Sequence, residues 1–323
     1  MTRTLLAMMA VTCLLAAGSA AADPYRKVTL RIAGATKTSA SATNVNGTTV
    51  GEYADGSGTH GFSASRGTYR RIDAPGASGY TTASGINASG TIVGSFSSGK
   101  SGHGFMLKNG VFTELNYPGA RFTTANAINS RDDVVGAYMD ERRIVHGFIY
   151  SQGTFRPLDE PDAKPARSGL MTMATGVNDN GVVIGSYSSR RAIHGFTYAK
   201  GRFARLDASS SALSTHLAGI TNDGTIAGSG YSRDGEEEFV LFQGLYRRHI
   251  DASDLETEIQ SINDRGVLTV RIADATPYSI LMIPTGPGPR PILWLGVMAA
   301  TLLSAIMVFV MFAWRYSRSH AGF

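Results

Sequence analysis

One motif recurs at a nearly constant interval through most of the chain, and that interval limits the fold more than any single residue does. Its clearest copy runs Gly85-Ile86-Asn87-Ala88-Ser89-Gly90-Thr91-Ile92-Val93-Gly94-Ser95-Phe96, continues to His103-Gly104-Phe105 and ends on the segment from Val111 to Ala120. The closing glycine recurs at Gly51, Gly94, Gly136, Gly185 and Gly228, with Val270 in its place in a sixth copy, at spacings of 43, 42, 49, 43 and 42 residues. The His-Gly-Phe triplet recurs at His60, His103, His146 and His194, degenerates to Glu237-Glu238-Phe239 in the fifth copy and is lost in the sixth, which is an eroded one.

Inside a copy the pattern is strand and turn. Thr91-Ile92-Val93, Val134-Val135 and Val182-Val183-Ile184 are β-branched runs. The segments 178–181, 222–224 and 263–266 are Asn/Asp/Gly turns, residue types that tolerate positive φ. Four short strands fit the clearest copy, over 81–87, 91–97, 102–108 and 111–116. A four-stranded unit of about 43 residues with no helical period is the signature of a propeller blade. The spacing therefore predicts an all-β, six-bladed β-propeller over 23–283, with a β-helix as the second fold that fits. Glycine at 38 of 323 residues, against roughly 7% in ordinary chains, agrees with a turn-rich β protein.

The sixth copy meets the proline-rich segment before a fourth strand can form. Residues 25–32 read like the fourth strand of a complete copy, Tyr69-Arg70-Arg71-Ile72, and are expected to supply the missing one.

The two ends read as addresses. Arg3, an apolar run from Leu5 to Ala17 and the small residues up to Ala22 form a secretory signal over 1–22. Cys13 lies within it, so the processed chain has no cysteine for a disulfide, a thiolate metal site or a nucleophile. A Pro/Gly linker over 284–291 leads into 292–314, 23 residues without a charge, which as a helix span about 34 Å and predict one transmembrane helix. Arg315 and Arg318 give a basic tail, 315–323, that stays in the cytoplasm and leaves the repeats in the periplasm or extracellular space. The same layout occurs in envelope sorting signals, but no Leu-Pro-x-Thr-Gly or Pro-Glu-Pro motif precedes the helix, which favours a permanent anchor. The formal net charge of +5 falls to 27 Lys/Arg against 25 Asp/Glu once Arg3, Arg315 and Arg318 are set aside, which argues against nucleic acid as a partner.

The Gly85–Gly94 core, the His103-Gly104-Phe105 triplet and the Asp73-Ala74-Pro75-Gly76-Ala77 end resemble the bacterial extracellular HAF-repeat proteins over about residues 38–283. The resemblance implies repeats displayed outside the cytoplasm and implies no catalytic residues.

Two glycine-rich matches carry no chemistry. Gly94 to Ser101 fits a phosphate-loop pattern and Gly56 to Gly61 a dinucleotide pattern, but both fall between strands where no helix N-terminus can face a phosphate, so no nucleotide is expected. His60, His103, His146 and His194 recur once per copy. Equivalent points around a ring do not converge on one metal, so these histidines are read as structural, with Asp73, Asn116, Asp159 and Asp207 as partners. Phe62, Phe105, Phe148, Phe196 and Phe239 are read as core between blades. The charged runs 131–133, 140–143 and 234–238 are read as solvated loops. No Ser-His-Asp order stands out, and no cofactor or resident metal is expected, Ca²⁺ being the one ion the acidic loops bring to mind. These readings point to a membrane-tethered, non-enzymatic binding or scaffold module for an envelope protein or polysaccharide. The competing expectation is a propeller hydrolase of lactonase or glycosidase type with a metal in the central channel.

Overall fold

A computed structural model describes residues 25–165, 169–189, 192–209, 212–233, 235–242, 246–249, 256–273 and 276–285. The signal segment 1–22, the linker from 286 onward, the expected helix 292–314 and the tail 315–323 lie outside the described residues. Among the described residues there are 24 β-strands and no helix. No described helix is therefore long and apolar enough to cross a membrane.

After β1 (Tyr25–Leu30) the strands fall into successive antiparallel meanders. The first is β2 (Lys37–Thr43), β3 (Thr49–Asp55), β4 (Gly58–Ser65) and β5 (Thr68–Ile72). The second is β6 (Thr81–Ile86), β7 (Ile92–Ser98), β8 (Ser101–Lys108) and β9 (Val111–Leu115). The third is β10 (Phe122–Ile128), β11 (Val134–Met139), β12 (Val145–Ser151) and β13 (Thr154–Leu158), and the fourth is β14 (Thr172–Val177), β15 (Val183–Ser188), β16 (Ile193–Ala199) and β17 (Arg202–Arg205). The fifth is β18 (Ser214–Ile220), β19 (Ile226–Ser232), β20 (Gly235–Phe242) and β21 (Tyr246–His249). The last contains β22 (Glu256–Ile262), β23 (Leu268–Ala273) and β24 (Tyr278–Pro284).

Every strand within a meander pairs antiparallel with its sequence neighbour, which rules out the parallel coils of a β-helix and gives the β-propeller fold. β1 pairs antiparallel with β24 from Tyr25↔Pro284 to Leu30↔Ser279, so the last meander takes its outer strand from the N-terminal end of the chain. That meander also bonds back to the first: the Ala40 amide donates to Ser279 Oγ at 2.9 Å and the Thr38 amide to the Pro277 carbonyl at 3.0 Å.

Turn chemistry sets the register. The third and fourth strands of four meanders join through two-residue turns, Arg66-Gly67, Asn109-Gly110, Gln152-Gly153 and Lys200-Gly201, with both residues at positive φ. This is the hairpin turn whose twist matches that of its flanking strands. The phosphate-loop-like segment lies in another hairpin, turning at Gly99-Lys100 between β7 and β8.

The repeated glycine of each second strand marks a close approach of backbones. A Cβ at Gly51, Gly94, Gly136, Gly185 or Gly228 would stand 1.9–2.3 Å from a carbonyl oxygen of the inner strand. Directly opposite these glycines are Phe62, Phe105, Phe148, Phe196 and Phe239, all at most 2% exposed. Each ring also fills space beside a neighbouring meander: Phe105 packs with Val50 and Ile72, Phe148 with Val93 and Leu115, Phe196 with Val135 and Leu158. In the last meander both members change together. Val270 replaces the glycine and Ile280 faces it where the others place a phenylalanine.

Candidate functional site

The six inner strands, β2, β6, β10, β14, β18 and β22, line a central channel of about 160 Å³. Each slips register by one residue at the same place, leaving Ser41, Ser84, Asn126, Thr175, Ala218 and Gln260 unpaired in the ladder. A bulge re-aims the extra side chain, and all six of these residues line the channel. Two of them bridge to the next inner strand: Asn126 Nδ2 donates to the Ala174 carbonyl at 2.8 Å and Thr175 Oγ1 to that of Leu217.

Past each bulge the inner strand ends on a buried residue of the first turn: Asn44, Asn87, Asn129, Asn178, Thr221 and Asn263. The asparagine Oδ1 closes the local turn by accepting the amide four residues on, at 2.9–3.1 Å. Its Nδ2 then reaches the next meander. Asn44 donates to the Asn87 carbonyl at 3.0 Å, Asn87 to Asn129 at 3.0 Å, Asn129 to Asn178 at 3.1 Å, and Asn178 to Thr221 at 3.0 Å. Asn263 returns to the start, donating to the Asn44 carbonyl at 3.2 Å.

Thr221 keeps the turn-closing role, accepting the Thr225 amide at 3.0 Å, but has no amide to pass on. The residue after it substitutes: the Asn222 amide donates to Asp264 Oδ1 at 2.6 Å and Asn222 Nδ2 to Asp264 Oδ2 at 2.9 Å. A second lacing runs alongside, with Asp179 Oδ1 accepting the Ser130 amide at 2.8 Å. Burial works against the charge of Asp179, but the Ser130 and Asn222 hydrogen bonds and Arg131 outweigh it and hold the carboxyl below its usual range.

The charged run at Arg131 is more than a solvated loop. Asp132 adopts φ +61° where the other turns use glycine at this position, and its carboxylate accepts Asn87 Nδ2 at 3.0 Å and Lys108 Nζ at 2.6 Å from the preceding meander. Asp133 accepts Asn129 Nδ2 at 3.0 Å and Arg131 at 2.7 Å, and Arg131 reaches forward to the Asp179 carbonyl. The sequence presents the charges but not the neighbour they reach. Of the other two runs, Asp140 accepts the Ile144 amide within its own hairpin, and the side chains of 234–238 are outside the description.

The repeated histidines occupy one position on β4, β8, β12 and β16. His60 Nδ1 stands 2.8 Å from Asp73, His103 Nδ1 3.2 Å from Asn116, His146 Nδ1 2.8 Å from Asp159 and His194 Nδ1 3.1 Å from Asp207. Each ring lies against the aromatic residue facing it across the sheet, Tyr53, Phe96, Tyr138 or Tyr187, with centroids 5.1–5.4 Å apart. Burial, and then a hydrogen bond with Tyr117, push the Tyr138 phenol well above its ordinary value.

On the far side of three rings stands a polar residue of the preceding hairpin: Ser57 at 2.9 Å from His60 Nε2, Asp140 at 3.6 Å from His146 and Ser189 at 3.2 Å from His194. The line Ser57–His60–Asp73 has the order of a nucleophilic triad, which the sequence reading did not single out. Here Ser57 Oγ also lies 2.6 Å from Asp55 Oδ1, so its one proton is contested, and the line repeats at His194 with Ser189 and Asp207. A histidine tying a hairpin to the end of the fourth strand is a clamp repeated around the disc. Among the described residues no group of three or more His, Cys, Asp or Glu could hold a metal ion, and Asp159 Oδ1 is buried without a partner.

No family model matches the sequence, and no curated protein matches it. Among solved structures the chain is similar to a candidate gluconolactonase, with 11% identity and a TM-score of 0.50 over 80% of this chain and 92% of the other. It is similar to AofleA from Arthrobotrys oligospora, with 11% identity and a TM-score of 0.50 over 81% of this chain and 90% of the other. A virginiamycin B lyase from Staphylococcus aureus aligns at 10% identity and a TM-score of 0.47, over 80% and 99% of the two chains. At such identities the likeness is one of fold, and the fold it shows is the β-propeller.

Proposed function

We propose that this chain is a non-enzymatic binding or scaffold module, a six-bladed β-propeller of the HAF-repeat kind held at the cytoplasmic membrane by its C-terminal segment. Its disc faces the periplasm or extracellular space and presents its loops and inter-blade grooves to an envelope protein or polysaccharide. The observation that carries this reading is where the polar side chains go. The turn asparagines, two of the channel-lining bulge residues and the four histidines are engaged in holding strands and meanders together. A scaffold that commits its polar groups to rigidity is suited to display, since binding to a preorganised surface loses little conformational entropy.

The test is metal analysis of the purified protein together with turnover assays on lactones, esters and glycosides. The proposal expects no stoichiometric metal and no turnover. One Ca²⁺ or Zn²⁺ per chain accompanied by hydrolysis would replace it with the hydrolase reading.

A further inference from the structure

The junction between the third and fourth meanders differs from the one before it. Between the second and third, Lys108 reaches across to Asp132 of the following turn at 2.6 Å, so cation and carboxylate neutralise each other. In the next junction the equivalent of Asp132 is Gly181, which brings no carboxylate, and a groove of about 510 Å³ opens. That volume lies within the roughly 300–1,000 Å³ range of small-molecule sites.

Its floor is apolar, from Ile149, Val183 and the ring of Tyr198. Its walls carry Arg156 and Lys200, both exposed, whose side chains make no hydrogen bond or ion pair among the described residues. Arg131 and Asp133 also line it but neutralise each other at 2.7 Å. The groove thus holds two uncommitted cations above an apolar floor, with the exposed amide of Gln152 at its edge.

We infer that this groove binds a carboxylated sugar unit, such as a uronate within an acidic polysaccharide. A sugar ring has an apolar face for Tyr198 and the aliphatic floor and hydroxyls for Gln152, and its carboxylate would meet Arg156 and Lys200 in charge-assisted hydrogen bonds. The inference rests on the binding-module reading and names its ligand class.

The test is titration of the full-length protein in detergent with a short oligogalacturonate, using a neutral maltooligosaccharide and inorganic phosphate as controls. Saturable binding of the uronate is expected, weakening with salt. The double variant Arg156→Ala/Lys200→Ala should lose about tenfold or more in affinity. Gly181→Asp should lose as much, because it restores the carboxylate seen one junction earlier. Asp132 takes the equivalent position at φ +61°, so the turn accepts an aspartate at some cost in backbone strain, and a melting curve checks the fold of both variants.

No saturable uronate binding overturns the inference, as does equal binding of the neutral sugar or of phosphate alone, or unchanged affinity in both variants. If uronate fails while another envelope ligand binds wild type and both variants alike, the groove assignment falls and the binding module stands. If the uronate binds and is cleaved, the groove stands and the non-enzymatic reading falls.

Discussion

Removing one asparagine from the lacing measures how much of the fold it holds. Asn87 is 4% exposed and makes four hydrogen bonds: Oδ1 accepts the Thr91 amide at 2.9 Å and Ser89 Oγ at 2.8 Å, while Nδ2 donates to the Asn129 carbonyl and to Asp132 Oδ1, both at 3.0 Å. Asn87→Ala leaves the buried Thr91 amide without a partner and leaves the Asn129 carbonyl only the Asp132 amide, at 3.2 Å. At about 0.5–1 kcal/mol for each of the three neutral bonds and about 1.5–2 kcal/mol for the one to the Asp132 carboxylate, the loss is about 3–5 kcal/mol. For a domain of this size that lowers Tm by about 8–15 °C.

Two further substitutions separate the local turn from the bridge. Asn87→Thr copies the natural Thr221, keeps an oxygen for the Thr91 amide and loses only the bridge, so it should cost about half as much. Asn87→Asp keeps the turn but aims a carboxylate at the Asn129 carbonyl and Asp132, and should cost the most of the three. Scanning calorimetry of the full-length protein at neutral pH gives the order. An Asn87→Ala shift below about 3 °C, or Asp and Thr variants that melt together, would refute the bridge as the source of stability.

Other outcomes follow from the same geometry. Gly136→Ala, whose Cβ would stand 1.9 Å from the Thr124 carbonyl and 3.0 Å from the Phe148 ring, should abolish folding or cost at least about 3 kcal/mol by urea denaturation. Thr221→Asn supplies the missing donor toward the last meander and should raise Tm by about 2–4 °C. Deleting residues 23–33 removes all six pairs between β1 and β24 and should lower Tm sharply, measured beside a deletion after Arg315 that leaves it unchanged. Asp133 has its carboxyl depressed because, although burial opposes its charge, Ser151, Asn129 and Arg131 together outweigh that cost. A depressed carboxyl stabilises the fold above its unfolded value of 3.8 and loses that contribution as pH falls through its folded value. Asp133→Asn should therefore lower Tm at pH 7 and flatten its acid-side decline, so that the two Tm curves converge well below pH 4.

Much of this architecture is legible in the chain because a repeat states its register several times. The spacing from Gly51 to Val270 marks equivalent second strands, and the 13 residues from His60 to Asp73 recur from His146 to Asp159 and from His194 to Asp207. Less legible was anything that depends on the neighbouring copy. Asn87 reads as an ordinary turn former, because Oδ1 does what turn asparagines do, and only the placement of the next meander shows where Nδ2 points. Ser84 and Asn126 look like alternating strand residues until the one-residue slip turns them to the channel. The departures from the repeat were the best available signals. Asp132 in a glycine position announces a carboxylate with a task, and Gly181 in the following copy announces the space left where that carboxylate is missing.

The pairing of β1 with β24 also dictates an order of events. Tyr25 meets Pro284 across 259 residues of chain, so the strand made first is among the last to find its partner. Until β1 and β24 pair, residues 25–30 have nothing to join, and the last meander is a three-stranded sheet with an open edge, the kind of edge that recruits other chains. Contacts so distant in sequence form slowly, so the nearly complete disc is the species most exposed to mispairing. Arg26 and Lys27, charged and exposed on that waiting strand, make it a poor template for another molecule's edge. A chain ending before Tyr278 would lack β24 and stay unclosed permanently, its first strand searching for an edge in a second copy.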